Sequence, residues 1–190
     1  MAPKLPPLPF VRTVLKSFMS ESGLEPRLFG PHLRITNAVP GKVDFELDIT
    51  KDHTNRLKII HGGTIASMVD LGGSLAVASM GLFATGVSTD LNVTYLSGGG
   101  KVGDKIQATA SCDKMGKTLA YTSVIFKNAK GDLAARGSHT KYVHPFRNSS
   151  GLLWLVLMGW ALCGARYVTQ AWKSQTDEPF TTPDGIEAER

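Results

Sequence analysis

The stretch HGGTIASMVDLGGSLAVASMGL, residues 61–82, decides how the fold of this chain is interpreted. It is longer than a strand and poor in β-branched residues, so it predicts a helix from Gly62 to Leu82. The segment is apolar nearly all round, which indicates that the helix is buried on most sides. Gly72 and Gly73 lower helix propensity at its middle, and we expect another backbone to approach closely there.

Asp70 stands out because it is the one charged residue between Gly62 and Thr89. A carboxylate is costly to bury among apolar side chains unless a hydrogen bond satisfies it or a reaction uses it. Asp70 is therefore a candidate functional acid. The alternative is an ordinary helix acid that makes a local hydrogen bond.

Strands are predicted on both sides of this helix. Residues 43–49 alternate apolar and acidic side chains, which is typical of a half-buried strand. Segments rich in Thr, Val, Tyr and Ile predict four more strands, at 86–95, 105–113, 118–127 and 133–143. Near the N-terminus, residues 10–19 predict a short amphipathic helix and residues 21–40 a turn-rich region.

This order of elements predicts an α+β fold in which an antiparallel β-sheet wraps around one long central helix. Such a sheet keeps two open edges. Pairing two sheets edge to edge would cover them, so we expect a homodimer on physical grounds.

The composition narrows the class of partner. The chain has 190 residues, 42% of them hydrophobic, which suits one globular domain with appendages. Its net charge of +5 favours anionic partners, but the basic residues are scattered, which argues against nucleic acid and favours a phosphorylated small molecule. Cys112 and Cys163 are too few for a disulfide framework, which favours a reducing compartment.

The start of the long helix is a candidate reaction site. Gly62 and Gly63 have no Cβ, so a ligand can approach their amides, which lack intrahelical acceptors. Such amides can hold the oxyanion that forms when a carbonyl is attacked. The alternative is a plain helix entry with glycines in a tight turn. His61 is either a base or a residue that orients the turn, and we favour the second role.

The spacing between Gly62 and Asp70 adds a constraint. Eight residues of helix span roughly 12 Å at about 1.5 Å per residue. One helix therefore cannot bring both groups to one carbonyl. If both act, Asp70 must come from a second copy of the chain, as a two-fold dimer would allow.

Several motifs together resemble the single-domain hotdog acyl-CoA thioesterases of the phenylacetate-degradation-type group. They are HTN at 53–55, HGG at 61–63, Asp70 and GVSTDLNVTY at 86–95, extended by GKTLA at 116–120 and HTK at 139–141. The resemblance runs from about Phe10 to Val143. It implies a hotdog fold, a dimer commonly paired into a tetramer, and hydrolysis of an acyl-CoA to a free acid and CoA without metal or cofactor.

The resemblance also implies roles for single residues. Gly62 would donate its backbone N–H to the thioester oxygen, while Asn55 and Asp70 would orient and activate a water. Ser88 would support the water or the acid, and His61 would shape the loop. Asp70 would serve the site of the other subunit. Whether Asp70 acts as general base or nucleophile stays open.

Coenzyme A is expected along two segments, one after the Ser88 strand and one at the next hairpin. The expected substrate-binding residues are Gly63, Ser88, Tyr95, Leu96, Ser97, Gly98, Gly99, Gly100, Lys114, Met115, Gly116, Lys117, Thr118, Leu119 and Tyr142. Glycines replace a Pro-Ala-like pair at 98–100, and we expect them to make that loop more mobile. Lysines and arginines near these segments either meet phosphates or are solvated surface side chains: Lys101, Lys114, Lys117, Arg136 and Lys141.

The two ends of the chain fall outside the resemblance. Residues 1–9 are expected as an extended lead-in, 10–144 as the domain, 145–173 as an apolar helical extension and 174–190 as a disordered polar tail. Several interpretations of the uncharged run at 151–165 compete. It is expected to pack on the domain or on a partner, or to lie at a membrane interface through residues 151–168. The alternatives are that it spans a bilayer or that it has no function. The basic N-terminus weakly resembles a mitochondrial presequence, so both cytoplasm and mitochondrion are considered.

Two other functions are alternatives to a thioesterase. A hotdog dehydratase or hydratase would need a differently placed His and acid pair, and the combination of Asn55, Gly62 and Asp70 argues against it. A non-catalytic acyl-CoA or lipid-binding module remains an alternative because of the glycine-rich loop and the extension.

Overall fold

The computed structural model describes residues 5–143. Three α-helices and six strands follow along these residues: α1 (Pro7–Glu21), α2 (Glu25–Leu28), β1 (Leu33–Val39), β2 (Lys42–Asp48), α3 (Gly62–Ser79), β3 (Val87–Tyr95), β4 (Lys105–Met115), β5 (Leu119–Lys127) and β6 (Leu133–Tyr142). The predicted apolar extension and polar tail lie outside the described residues.

All six strands join one antiparallel sheet in the order β1-β2-β4-β5-β6-β3. A row of paired residues crosses four strands, with Phe45 opposite Ala108, Ala108 opposite Phe126, and Phe126 opposite Ala135. All four are buried. Alternating large and small side chains let the sheet and the helix interlock at close packing. The α+β architecture with a long helix against an antiparallel sheet is therefore confirmed.

Helix α3 supplies the other half of the core. Met68, Val69 and Leu75 are fully buried, and each contributes on the order of 2 kcal/mol by leaving water. Gly72 and Gly73 leave room for side chains of the sheet. The prediction that another backbone approaches there is wrong, because the nearest atoms belong to side chains. A Cβ on Gly72 would lie 2.9 Å from Phe45 Cζ, and one on Gly73 only 2.5 Å from His139 Nδ1.

Strand β1 lies inside the region that the sequence predicted as turns. Leu33, Ile35 and Ala38 are its buried residues, so the inward positions are not spaced by two throughout. A bulge between Ile35 and Asn37 shifts the pairing with β2 and causes this irregular spacing. The bulge hides the period-two signal, which is why the strand was missed.

Element boundaries differ modestly from those expected. Helix α1 begins at Pro7, three residues earlier than predicted, because proline has a helix-compatible φ and needs no hydrogen-bond acceptor at the first position. Helix α3 ends at Ser79, and Gly81 follows with φ of 92°. Between residues 5 and 143 no helix combines the length and hydropathy needed to cross a bilayer.

Candidate active site

The start of α3 leaves one backbone donor open. His61 caps the helix, and its Nδ1 accepts a hydrogen bond from Gly63 N at 2.8 Å. Its carbonyl accepts from Thr64 N at 3.0 Å and Ile65 N at 3.3 Å. Within residues 5–143 no acceptor faces the N–H of Gly62. Because His61 Nδ1 is an acceptor here, the residue orients the turn rather than offering that nitrogen as a base.

Tyr95 holds the same glycine from the other side. Its hydroxyl donates to Gly62 O at 2.8 Å, and a Cβ on Gly62 would lie 3.2 Å from Tyr95 Cζ. The sequence expected Tyr95 to contact coenzyme A. In the structure its ring lies against the helix start, where it fixes the position of the Gly62 peptide.

His53 connects the preceding loop to this helix start. Its side chain is buried, with Nδ1 accepting from Thr50 N at 2.9 Å and Nε2 donating to Leu28 O at 2.6 Å. Its own carbonyl accepts from His61 N at 2.8 Å and from Thr64 Oγ1 at 3.2 Å. In the sequence His53 is part of the HTN motif, with no role of its own. The structure shows that it anchors the turn that presents the open amide.

Asn55 lies in the same loop with its amide oriented. Its Oδ1 accepts from Leu57 N at 2.9 Å and from Ile59 N at 3.4 Å, and Lys58 takes a φ of 60° to close the turn. The oxygen of the side chain thus faces the loop. Because these two amides occupy the oxygen, the NH₂ group is the part of the Asn55 side chain that can serve a bound molecule.

Asp70 lies two turns further along α3, within a polar cluster. Ser88 Oγ donates to Asp70 Oδ1 at 3.0 Å. His139 Nε2 lies 2.9 Å from Ser88 Oγ and 3.3 Å from Asp70 Oδ1, and Lys141 Nζ lies 3.9 Å from the same carboxylate oxygen. The Asp70 side chain is 46% exposed. The carboxylate therefore has the hydrogen bond that an acid in this apolar helix requires, and β3 and β6 surround it with polar side chains.

His139 is a neutral imidazole at pH 7. Burial and, to a smaller extent, the positive charge of Lys141 lower its pKa to about 4, while Asp70 and Asp90 act in the opposite direction. Since the single hydrogen of Ser88 goes to Asp70, Ser88 Oγ must accept from His139 Nε2. The hydrogen bonds therefore run from His139 to Ser88 to Asp70.

Lys141 is 3% exposed, so it is neither a solvated surface side chain nor a contact for coenzyme A phosphates. Burial lowers the pKa of its ammonium, and the Asp70 carboxylate opposes that shift. The sequence alone indicates no catalytic role for His139 or Lys141. One feature of the sequence does indicate their burial. His139, Lys141 and the apolar Val143 are alternate residues of the strand predicted at 133–143, so all three side chains lie on the same face, which is the buried one.

The glycine loop after β3 is packed, which contradicts the mobility expected of it. A Cβ on Gly99 would lie 2.7 Å from Ile60 Cγ2, and Gly100 has φ of 134°. Gly100 O also accepts from Ile60 N at 2.9 Å, directly before the helix cap. The glycines allow close packing against the site loop, while Gly98 has no neighbour within 4 Å of its Cβ position.

The two segments expected to bind coenzyme A lie at opposite ends of the sheet. Tyr95 pairs with Ala135 at one end, followed by the loop 96–100. At the other end Leu119 pairs with Tyr142, beside the β4–β5 hairpin that carries residues 114–119. Seven residues of β6 separate the two pairs, roughly 20 Å. One chain does not bring these segments together.

The other predicted residues follow this division. Asn55, His61, Gly62 and Gly63 lie near the Tyr95 end, whereas Asp70 and Ser88 lie near the hairpin end, since Ser88 pairs with Lys141 and Lys141 with Ala120. Within residues 5–143 no group of three or more His, Cys, Asp or Glu side chains is arranged to hold a metal ion.

Comparison with known proteins identifies the family. A thioesterase superfamily model matches residues 57–135. A Schizosaccharomyces pombe protein with a provisional esterase name is 44% identical over 144 residues, covering 76% of this chain and 87% of that protein. Human acyl-coenzyme A thioesterase 13 is 40% identical over 134 residues, covering 70% of this chain and 94% of the relative. The chain belongs to the thioesterase superfamily.

The fold agrees with this assignment. The crystal structure of zebra fish thioesterase superfamily member 2 matches with a TM-score of 0.66 and 36% identity, covering 73% of this chain and 98% of that one. The match spans nearly the whole neighbour. The hotdog fold expected from the motifs is therefore shown for this thioesterase superfamily member.

Proposed function

We propose that this protein hydrolyses acyl-CoA thioesters to a free acid and coenzyme A. The observation that carries the proposal is the open Gly62 amide at the start of α3, together with the Ser88-bonded carboxylate of Asp70 on the same helix. The first supplies an oxyanion donor and the second a base. Acyl-CoA is the substrate class in the name of human acyl-coenzyme A thioesterase 13.

The proposed active unit is a homodimer with two shared sites. Each chain supplies a donor half-site, made of Asn55, Gly62 and the loop 96–100, and an acid half-site, made of Asp70, Ser88 and the hairpin 114–119. The half-sites lie at opposite ends of β3. A complete site therefore needs the donor half-site of one protomer beside the acid half-site of its partner.

Strand β3 provides the geometry for that arrangement. It lies at a sheet edge and, within residues 5–143, pairs only with β6. Antiparallel pairing of β3 with the same strand of a second copy would bring the start of one strand beside the end of the other. Ser88 lies near the start and Tyr95 at the end. Such pairing would also cover the open edge. A dimer of dimers is proposed as the larger assembly.

The proposed mechanism is attack by an activated water. The thioester oxygen accepts a hydrogen bond from Gly62 N–H, which stabilises the developing negative charge, while the NH₂ group of Asn55 helps to orient the attacking water. The partner's Asp70 takes a proton from a water oriented with the help of Ser88, and the water oxygen bonds to the carbonyl carbon. The tetrahedral intermediate collapses, the C–S bond breaks, and the leaving thiolate of coenzyme A takes the proton that Asp70 received from the water. No metal or cofactor takes part.

We propose that the protein is located in the cytoplasm or in the mitochondrion. Peripheral membrane contact through residues 151–168 is likewise proposed on composition alone, since that segment lies outside the described residues.

Thiol release from a panel of acyl-CoAs tests the function. We expect release by the wild type and a loss of about 10²- to 10⁴-fold in kcat for Asp70→Asn, which keeps the acceptor for Ser88 but removes the base. The matched control is Asp113→Asn, because Asp113 accepts from Ser123 Oγ at 3.0 Å in an equivalent Ser–Asp pair between β4 and β5. Equal rates for wild type and Asp70→Asn would refute the role of Asp70. Tight binding of acyl-CoA without release would favour the non-catalytic module.

A further inference from the structure

The acid half-site contains one ion that thioester hydrolysis, as described above, does not use. Lys141 is 3% exposed, and Asp70 is the carboxylate next to its ammonium. Burying a lysine carries a large desolvation cost, whereas an apolar side chain of similar size would fit without that cost. Packing alone would therefore favour an apolar residue at this position, and we infer that the positive charge of Lys141 has a role beside the proposed base.

The charged neighbours of this cluster are few. Helix α3 contributes Asp70, β3 contributes Asp90 and β6 contributes Lys141, while the β5 residue at His139 is Thr122, which does not ionise in this range. His139 Nε2 and Lys141 Nζ lie 3.3 Å and 3.9 Å from the same Asp70 oxygen, so they are at most about 7 Å apart. At that distance the ammonium strongly disfavours a second positive charge on the imidazole.

The protonation state of His139 determines what Asp70 can do. As a neutral imidazole, His139 donates its one hydrogen to Ser88, and Ser88 donates to Asp70. As an imidazolium it would form a direct ion pair with Asp70, 3.3 Å away, and compete with the water for the carboxylate.

We propose that Lys141 is a positioning residue for the reaction: its buried ammonium adds to the effect of burial and extends the pH range in which His139 is neutral, so that Asp70 remains available to the attacking water at mildly acid pH. This inference rests on the proposed thioesterase function. Lys141 acts through His139 and makes no contact with the substrate.

The first test measures the imidazole directly and needs no activity. NMR titration of His139 in the full-length protein is compared with that in Lys141→Met, which removes the charge at similar volume. We expect the midpoint of His139 to move up by about one to two pH units, the effect of a unit charge at about 7 Å with an effective dielectric constant near 20. An unchanged midpoint would overturn the proposal.

Two further variants test whether the charge of Lys141, and not a change in packing, moves the midpoint of His139. Lys141→Arg keeps the charge and should keep the wild-type midpoint, whereas Lys141→Gln provides a second neutral variant should methionine disturb packing. Lys127→Met is the control, because Lys127 is seven residues along β5 from the partner of Lys141, roughly 20 Å away. A midpoint moved equally by Lys127→Met would contradict a local effect.

The second test uses the pH dependence of kcat/KM for an acyl-CoA that the wild type cleaves. In Lys141→Met the acid limb should move upward with the His139 midpoint, while KM near neutral pH stays unchanged. The variant His139→Gln has an amide that can still donate to Ser88 but does not titrate. In that variant, adding Lys141→Met should move the acid limb of kcat/KM much less. A full shift in that background, or a raised KM, would refute the route through His139. If no acyl-CoA is cleaved, the proposed function fails while the NMR test still stands.

Discussion

Restoring activity by mixing two inactive chains is the sharpest test of the shared site. The first variant, Asn55→Asp, keeps an oxygen for the amides of Leu57 and Ile59 but replaces the NH₂ donor with a negative charge. The second, Asp70→Asn, keeps an acceptor for Ser88 and removes the base. Both changes are nearly isosteric, so the folds should survive. Each homodimer carries the same defect in both of its sites.

The expected magnitude follows from the geometry. Loss of the base in Asp70→Asn costs about 10²- to 10⁴-fold in kcat, and loss of the group that orients the water in Asn55→Asp costs about 10²-fold, so each variant alone should be nearly inactive. Random assortment makes half of the dimers mixed. In a mixed dimer one site combines both defects and the other combines none. Mixing therefore restores about one quarter of the wild-type activity if the two half-sites come from different protomers.

The assay is thiol release after the two variants are co-expressed with different tags and the mixed dimer is purified through both tags. That mixed dimer should show about half the wild-type kcat per dimer, with an unchanged KM. Separately purified variants that are combined without exchange of subunits provide the control. If the mixed dimer is as inactive as its parents, the site is built within one chain and the reasoning from helix rise and strand order is refuted.

Two other predictions concern the packing and the protonation of His139. Gly73→Ala should lower the free energy of unfolding by about 1–3 kcal/mol, because its Cβ would lie 2.5 Å from His139 Nδ1 and 2.6 Å from Thr122 Oγ1; Gly98→Ala is the control in denaturant titrations, and equal stability of both would contradict the close approach. The free energy of unfolding should also decrease as the pH is lowered from 6.5 to about 4, and His139 should account for at most about 3 kcal/mol of this decrease. The reason is that His139 becomes protonated at a higher pH in the unfolded chain than in the folded one. His139→Gln should remove that part of the pH dependence, and an identical slope in both proteins would refute it.

Local pattern predicted the elements that carry most of the site. The apolar run after His61 predicted α3, and the strand segments after it were located within a few residues. Where the pattern was irregular the prediction was wrong: the bulge in β1 broke the alternation that identifies a strand. The glycines at 98–100 were interpreted as mobile because their close contacts with Ile60 and Ile49 come from distant parts of the chain.

The sequence by itself determined the long apolar helix, its single acid and the eight-residue spacing that separates Asp70 from Gly62. These follow from helix rise and side-chain periodicity, which depend only on neighbours along the chain. The tertiary structure alone decided that β6 lies between β5 and β3, and so brought His139 and Lys141 to Asp70 and Ser88. Strand order joins residues more than fifty positions apart, such as Ser88 and His139, and no local pattern carries that information.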